Sequence, residues 1–156
     1  MKKQSLSLGS FFIIILFTFS FVQSSEISIV KGKARIIDGD TIEINSEKIR
    51  FGGIDTPEKK EIGHRFSKKK LSEKIGNNMV TCVREKNKDR WGRTVGECFV
   101  NEESLSSFMV QNGYACDYVK YSKKKYAKDE EDAKTKKLGI WKMEFDPSWE
   151  KKCKTK

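Results

Sequence analysis

Proline is scarce in this 156-residue chain, at Pro57 and Pro147 only, and histidine scarcer still, at His64 alone. A solitary histidine, with no metal or nucleophile spacing around it, excludes the common histidine-centred sites. Cysteine is sparse too: Cys82, Cys98, Cys116 and Cys153 lie too far apart for the close ligand pairs of a zinc centre. There is one long apolar run, so a polytopic membrane protein is excluded. No internal repeat or low-complexity block occurs. Aromatic residues at 11% and a net charge of +10 do not describe a disordered polyelectrolyte. What remains is a small, basic domain with one special segment at its start.

That segment has the grammar of an export signal. Lys2 and Lys3 precede an apolar stretch from Phe11 to Val22, and Val22-Gln23-Ser24 offers a small residue for cleavage. As a helix, twelve residues reach about 18 Å, short of the roughly 30 Å hydrocarbon layer. Residues 1–24 are therefore expected to be a cleaved secretory signal and residues 25–156 a single domain. Without the signal the chain keeps 30 basic and 22 acidic residues, a net charge of +8. In an oxidising compartment four cysteines permit two disulfides, in any of three pairings.

Strand-like periodicity dominates the first half. Thr41-Ile42-Glu43-Ile44 and Lys48-Ile49-Arg50-Phe51 alternate with period two around the polar turn Asn45-Ser46-Glu47, which predicts a hairpin. A second pair is predicted at Met79–Arg84 and Thr94–Val100. Helical spacing follows over 61–75, 102–112 and 123–137, with Asn101 a candidate cap for the second and Gly113 and Gly139 candidate stops. Strands early and helices interspersed and trailing indicate an α+β domain around a small barrel.

Carboxylates cluster at the ends of the strand runs, in Asp38-Gly39-Asp40-Thr41 and Asp55-Thr56-Pro57-Glu58. Between them Arg50 alternates with Ile49 and Phe51, so it faces away from what those two bury. Arg93 closes Asp89-Arg90-Trp91-Gly92-Arg93 at another strand-turn junction. Oxygen ligands suit calcium or magnesium, and a guanidinium fork suits the oxygens of a phosphate. The same residues are also ordinary turn chemistry, and periodicity alone does not make Asp40, Arg50, Asp55 and Arg93 converge.

Taken together and in order, Ile37-Asp38-Gly39-Asp40-Thr41-Ile42, Ile49-Arg50-Phe51-Gly52-Gly53-Ile54-Asp55-Thr56-Pro57-Glu58, Asp89-Arg90-Trp91-Gly92-Arg93, Val110-Gln111-Asn112-Gly113-Tyr114-Ala115 and Leu138-Gly139-Ile140-Trp141 resemble the thermonuclease (staphylococcal nuclease-like) family. The resemblance covers roughly residues 33–141. It implies an OB-fold, a five-stranded barrel with about three helices, and a monomeric, exported, calcium-dependent endonuclease that cuts DNA and RNA to leave 3′-phosphate ends. By the same resemblance Asp40, Asp55 and the Thr56 carbonyl are calcium ligands, and Glu58 is the candidate general base. Arg50 and Arg93 bind the scissile phosphate, and Asp38 is an acidic neighbour. Tyr118 and Tyr121 fall where family tyrosines meet substrate, and Trp91 stands where the family often has tyrosine. Gly52-Gly53 departs from the pattern beside the key strand.

Cys82 and Cys98 flank the 89–93 turn on two expected antiparallel strands, so they are the preferred disulfide, leaving Cys116–Cys153. His64, in a lysine-rich helix start, reads as a solvated surface residue. Lys68-Lys69-Lys70, Lys123-Lys124-Lys125 and Lys151-Lys152 read as solvated faces that can track phosphates. Two other classes compete with the enzyme. A non-catalytic OB-fold module would bind single strands through its basic groove and aromatics, but it has no need of acids beside a phosphate. A protein of anionic membrane surfaces would need a strongly amphipathic helix, which is lacking, and no stable membrane association is expected after signal cleavage.

Overall fold

Thr94–Val100 alternates buried and half-buried side chains without a break, as a strand with one face on a core must. This strand is the centre of the sheet. The computed structural model describes residues 28–144 and 147–154; the expected signal segment lies outside them. In chain order the strands are β1 (Ile29–Lys33), β2 (Arg35–Ile36), β3 (Thr41–Ile44), β4 (Glu47–Phe51), β5 (Ile54–Asp55), β6 (Met79–Lys88), β7 (Thr94–Val100), β8 (Glu103–Ser104) and β9 (Cys116–Asp117). The helices are α1 (His64–Ile75), α2 (Leu105–Gln111), α3 (Val119–Ser122), α4 (Ala127–Thr135) and α5 (Pro147–Lys154), with a 3-10 turn at Gly139–Lys142.

The main sheet runs β1-β6-β7-β4-β3-β2, with β8 added on β7, while β5 and β9 form a separate antiparallel pair. All main-sheet pairings are antiparallel except β4 with β7, where Ile49 stands opposite Thr94. This mixed sheet curls into a half-barrel consistent with an OB-fold in an α+β domain. Inside lie Ile42, Ile49, Phe51, Leu71, Val100 and Met109, all essentially without solvent contact. Register places the expected hairpin as read: Thr41 opposes Arg50 and Ile42 opposes Ile49, and the turn residues Asn45 and Ser46 both have positive φ, at 50° and 66°.

Three helical regions are expected, and five helices form among the described residues. The helix expected over 123–137 starts only at Ala127, as α4, because Lys123 and Lys124 adopt left-handed backbone at φ 55° and 68°, and α3 forms before that stretch. The cap of α2 is Ser104, whose hydroxyl accepts from the Ser107 amide at 3.0 Å; Asn101 instead sits at φ 48° in the turn between β7 and β8. Helix α5 was not anticipated. Both expected disulfides form, Cys82–Cys98 between directly paired residues of β6 and β7, and Cys116–Cys153 between β9 and α5.

Two glycines bring the end of α2 against the 3-10 turn. Gly113 and Gly139 have φ of 70° and 54°, and a Cβ on Gly139 would stand 2.2 Å from the Gly113 carbonyl oxygen. Ile140 N–H donates to that same carbonyl at 2.8 Å. Left-handed backbone and a steric conflict therefore act together in Gly139→Ala, which is expected to lose on the order of 3 kcal/mol. Urea midpoints of the two proteins check this.

Glu47 supports the parallel joint between β4 and β7. It accepts from Arg84 Nη2 at 2.6 Å and Nε at 2.9 Å, and from the Thr94 hydroxyl at 2.7 Å. The Arg84 hydrogen bonds, then that from Thr94, hold its pKa down at about 2 instead of 4.5. A carboxyl whose pKa is lower folded than unfolded stabilises above the unfolded value and ceases to as pH falls through the folded one. Stability should thus fall by about 1–2 kcal/mol, after solvent screening, between roughly pH 4.5 and 2. Glu47→Gln should be less stable at pH 7 and lack this part of the acid slope, as melts across that range would show.

Candidate active-site cleft

One cleft of about 1050 Å³ opens beside the β4–β5 bend, and most of the residues singled out in the sequence line it: Asp38, Asp40, Arg50, Asp55, Thr56, Glu58, Arg93, Tyr118 and Tyr121. Strand order explains the convergence. Asp40 immediately precedes β3, Arg50 lies on β4 next to it, and Asp55 ends β5 after the Gly52-Gly53 bend. Arg93 enters because β7 runs parallel to β4 and the turn before it overhangs the same edge.

Asp40 is 4% exposed and Asp55 2%. Asp40 accepts from the Thr41 hydroxyl at 2.9 Å and from the Thr56 amide and hydroxyl at 3.2 and 3.1 Å. Arg50 bridges the two acids, pairing with Asp40 through Nη1 and with Asp55 Oδ1 through Nη2 at 2.7 Å. Lys152 adds a second cation, 2.9 Å from Asp55 Oδ2 and 3.3 Å from Glu58 Oε1. The contact with Asp55 is an ion pair without hydrogen-bond geometry, since Oδ2 is buried and makes no hydrogen bond among the described residues.

Environment pushes the two aspartates apart. Burial raises the Asp40 carboxyl, but the adjacent Arg50 charge and three kinds of hydrogen bond outweigh it, and the pKa ends below the usual carboxylate range. For Asp55 burial prevails, with the Asp40 charge adding to it, and the pKa rises despite Arg50 and Lys152. Burial works against the Lys152 ammonium, yet Asp55 and then Glu58 raise its pKa above that of an ordinary lysine.

The other expected residues divide between the pocket and its rim. Glu58 is an exposed side chain, 64% accessible, whose own amide donates to Glu61 at 2.6 Å. Arg93 pairs with Asp89 at 2.6 Å and not with the buried acids. Trp91 is exposed beneath two guanidiniums, Arg90 at 4.0 Å and Arg93 at 4.9 Å from its ring. Tyr118 and Tyr121 meet edge to face at 4.9 Å. His64 is not the solvated residue its lysine-rich surroundings suggest. Its ring is 12% exposed and lies 3.1 Å from Asp38 and 3.2 Å from the Pro57 carbonyl. Sequence reasoning missed Lys152. The signal was its position beside Cys153, whose partner Cys116 pairs in register with Asp55.

The donor set fits a hard divalent cation. Asp40 and Asp55 supply buried carboxylate oxygens, and among the described residues Asp55 Oδ2 is held only by the Lys152 ion pair. The sulfurs of Cys116 and Cys153 lie within 4.8 Å of an Asp55 oxygen, but joined to each other they offer no thiolate.

Comparison with known proteins follows the same lines. Residues 48–143 match the family model described as Staphylococcal nuclease homologue. The succinoglycan biosynthesis protein ExoI of Rhizobium meliloti is 30% identical over 124 residues, covering 72% of this chain and 65% of its own. An uncharacterized endonuclease of Haemophilus influenzae is 34% identical over 113 residues, covering 69% and 63% respectively. One of Escherichia coli O157:H7 is 32% identical over 119 residues, covering 72% and 76%. The chain thus spans a little under two thirds of the first two relatives.

Proposed function

This chain belongs to the staphylococcal nuclease family, and on that premise we propose that it is an exported, calcium-dependent endonuclease that hydrolyses the phosphodiester bonds of DNA and RNA and leaves 3′-phosphate ends. The gathering of Asp40, Asp55, Glu58, Arg50 and Arg93 along one cleft carries the reading. A pure nucleic-acid binder has no use for two buried carboxylates at the place where a phosphate must approach. Two disulfides support an oxidising destination.

Asp40 and Asp55, with the Thr56 carbonyl, would hold the calcium, which when bound polarises a phosphoryl oxygen and lowers the pKa of nearby water. Glu58, exposed on the cleft wall, accepts the proton of the attacking water. Arg50 presents a planar fork on one side of the phosphate and Arg93 on the other, meeting charge as it develops on the oxygens. One of the two also supports the departing 5′-oxygen. Tyr118 and Tyr121 offer an aromatic surface beside the phosphate path, suited to unpaired bases. The positive balance, +10 over the whole chain and +8 without residues 1–24, draws the polyanion in, and affinity should weaken steeply with salt.

Mature protein incubated with plasmid DNA and with RNA should cut both with calcium and neither with chelator. Salt-sensitive binding without cleavage at any calcium concentration would support a non-catalytic OB-fold module instead.

A further inference from the structure

Helix α5 is fastened to the rest of the fold more firmly than its eight residues suggest. Cys153 is bonded to Cys116, Trp149 packs on Trp141 with ring centres 5.4 Å apart, and Lys154 and Glu150 pair with Glu130 and Lys134. Every one of these attachments fixes the backbone next to Lys152. The ammonium it delivers lies between Asp55 Oδ2 and Glu58 Oε1, at 2.9 and 3.3 Å. Arg50 takes the other Asp55 oxygen. Asp40, Asp55 and Glu58 therefore each contact one of the chain's own cations before any metal arrives.

The two cations differ in what they can yield. Arg50 is a rigid fork engaged on two buried carboxylates, whereas Lys152 is a point charge on a flexible stem with 29% of its side chain exposed. A dication that uses Asp55 meets the ammonium first. We propose that Lys152, anchored also on Glu58, is an internal counter-ion of the acidic pocket, competing with the divalent cation for Asp55 and so setting the cation concentration at which the pocket fills. The Cys116–Cys153 bond keeps that competitor in place. This inference rests on reading the pocket as a metal site.

Calorimetric titration of calcium into the mature, disulfide-intact protein tests it without reference to activity. A charge within about 4–6 Å is worth one to three pK units, so Lys152→Met, which keeps the apolar stem, should bind calcium about tenfold or more tightly than the parent. Lys152→Arg, which keeps the charge, should stay near the parent. Replacing Cys116 and Cys153 together by serine should also tighten binding, and adding Lys152→Met to that protein should bring little further gain. Equal or weaker calcium binding by Lys152→Met, in a parent that binds and cleaves with calcium, overturns the proposal alone. If neither protein takes up calcium and neither cleaves with it, the metal reading falls as well.

Discussion

Replacing Arg50 by alanine is expected to lower cleavage by a factor of about 10² or more at saturating calcium, the scale of losing one preorganised stabiliser of transition-state charge. The same change uncovers Asp40 and Asp55, both buried and both paired with this guanidinium. Removing one partner of a buried ion pair costs about 3–5 kcal/mol, because the remaining charge has lost its compensation. Here two carboxylates are left with Lys152 and the Thr41 and Thr56 donors. Arg50→Ala should accordingly melt earlier than the parent without metal, and calcium should raise its melting temperature by more than it raises the parent's. Arg50→Lys separates the two effects. It restores part of the charge compensation but not the two-pronged geometry, so stability should recover further than turnover. Cleavage unchanged in Arg50→Ala would remove this residue from the phosphate site.

What was legible in the sequence follows from how far each signal reaches. Period-two alternation located β3, β4 and β7, because each has one buried face and one register that buries it. Local turn chemistry located Asp40 and Asp55 at strand ends. Their convergence was beyond periodicity, since it depends on β5 folding back and on β7 lying parallel to β4, pairings set by contacts distant in sequence. The resemblance to a family supplied that step. The C-terminal helix escaped both. It lies beyond the residues that carry the resemblance, and its apolar positions include Trp149 and Cys153, one turn apart, amid lysines. Read alone, Lys151-Lys152 is a solvated charge pair; the disulfide turns one of the two into part of the cleft. His64 was misread for the same reason. Its neighbours in sequence are basic and exposed, but its neighbours in space are Asp38 and the Pro57 carbonyl.

Glu58→Gln should reduce turnover by a factor of about 10²–10⁴, the range associated with removal of a positioned general base. The substitution keeps the size of the side chain and its place on an exposed wall, so folding should be unchanged. Two measurements distinguish a base from a metal ligand. A base is lost from the rate alone, so calcium binding should stay close to the parent's. A ligand would be lost from the affinity, and the rate would return at higher calcium. The pH profile offers a second view: the limb of kcat/KM that reports the ionised base in the parent should be absent from the residual activity of Glu58→Gln. Turnover within a few-fold of the parent, at saturating calcium and with an unaltered profile, would leave water activation to another group in the cleft. Asp38, partly buried beside His64 with its pKa raised first by burial, stands closest to that description. Pairing Glu58→Gln with Asp38→Asn then decides between them, because only the residue that takes the proton removes the limb.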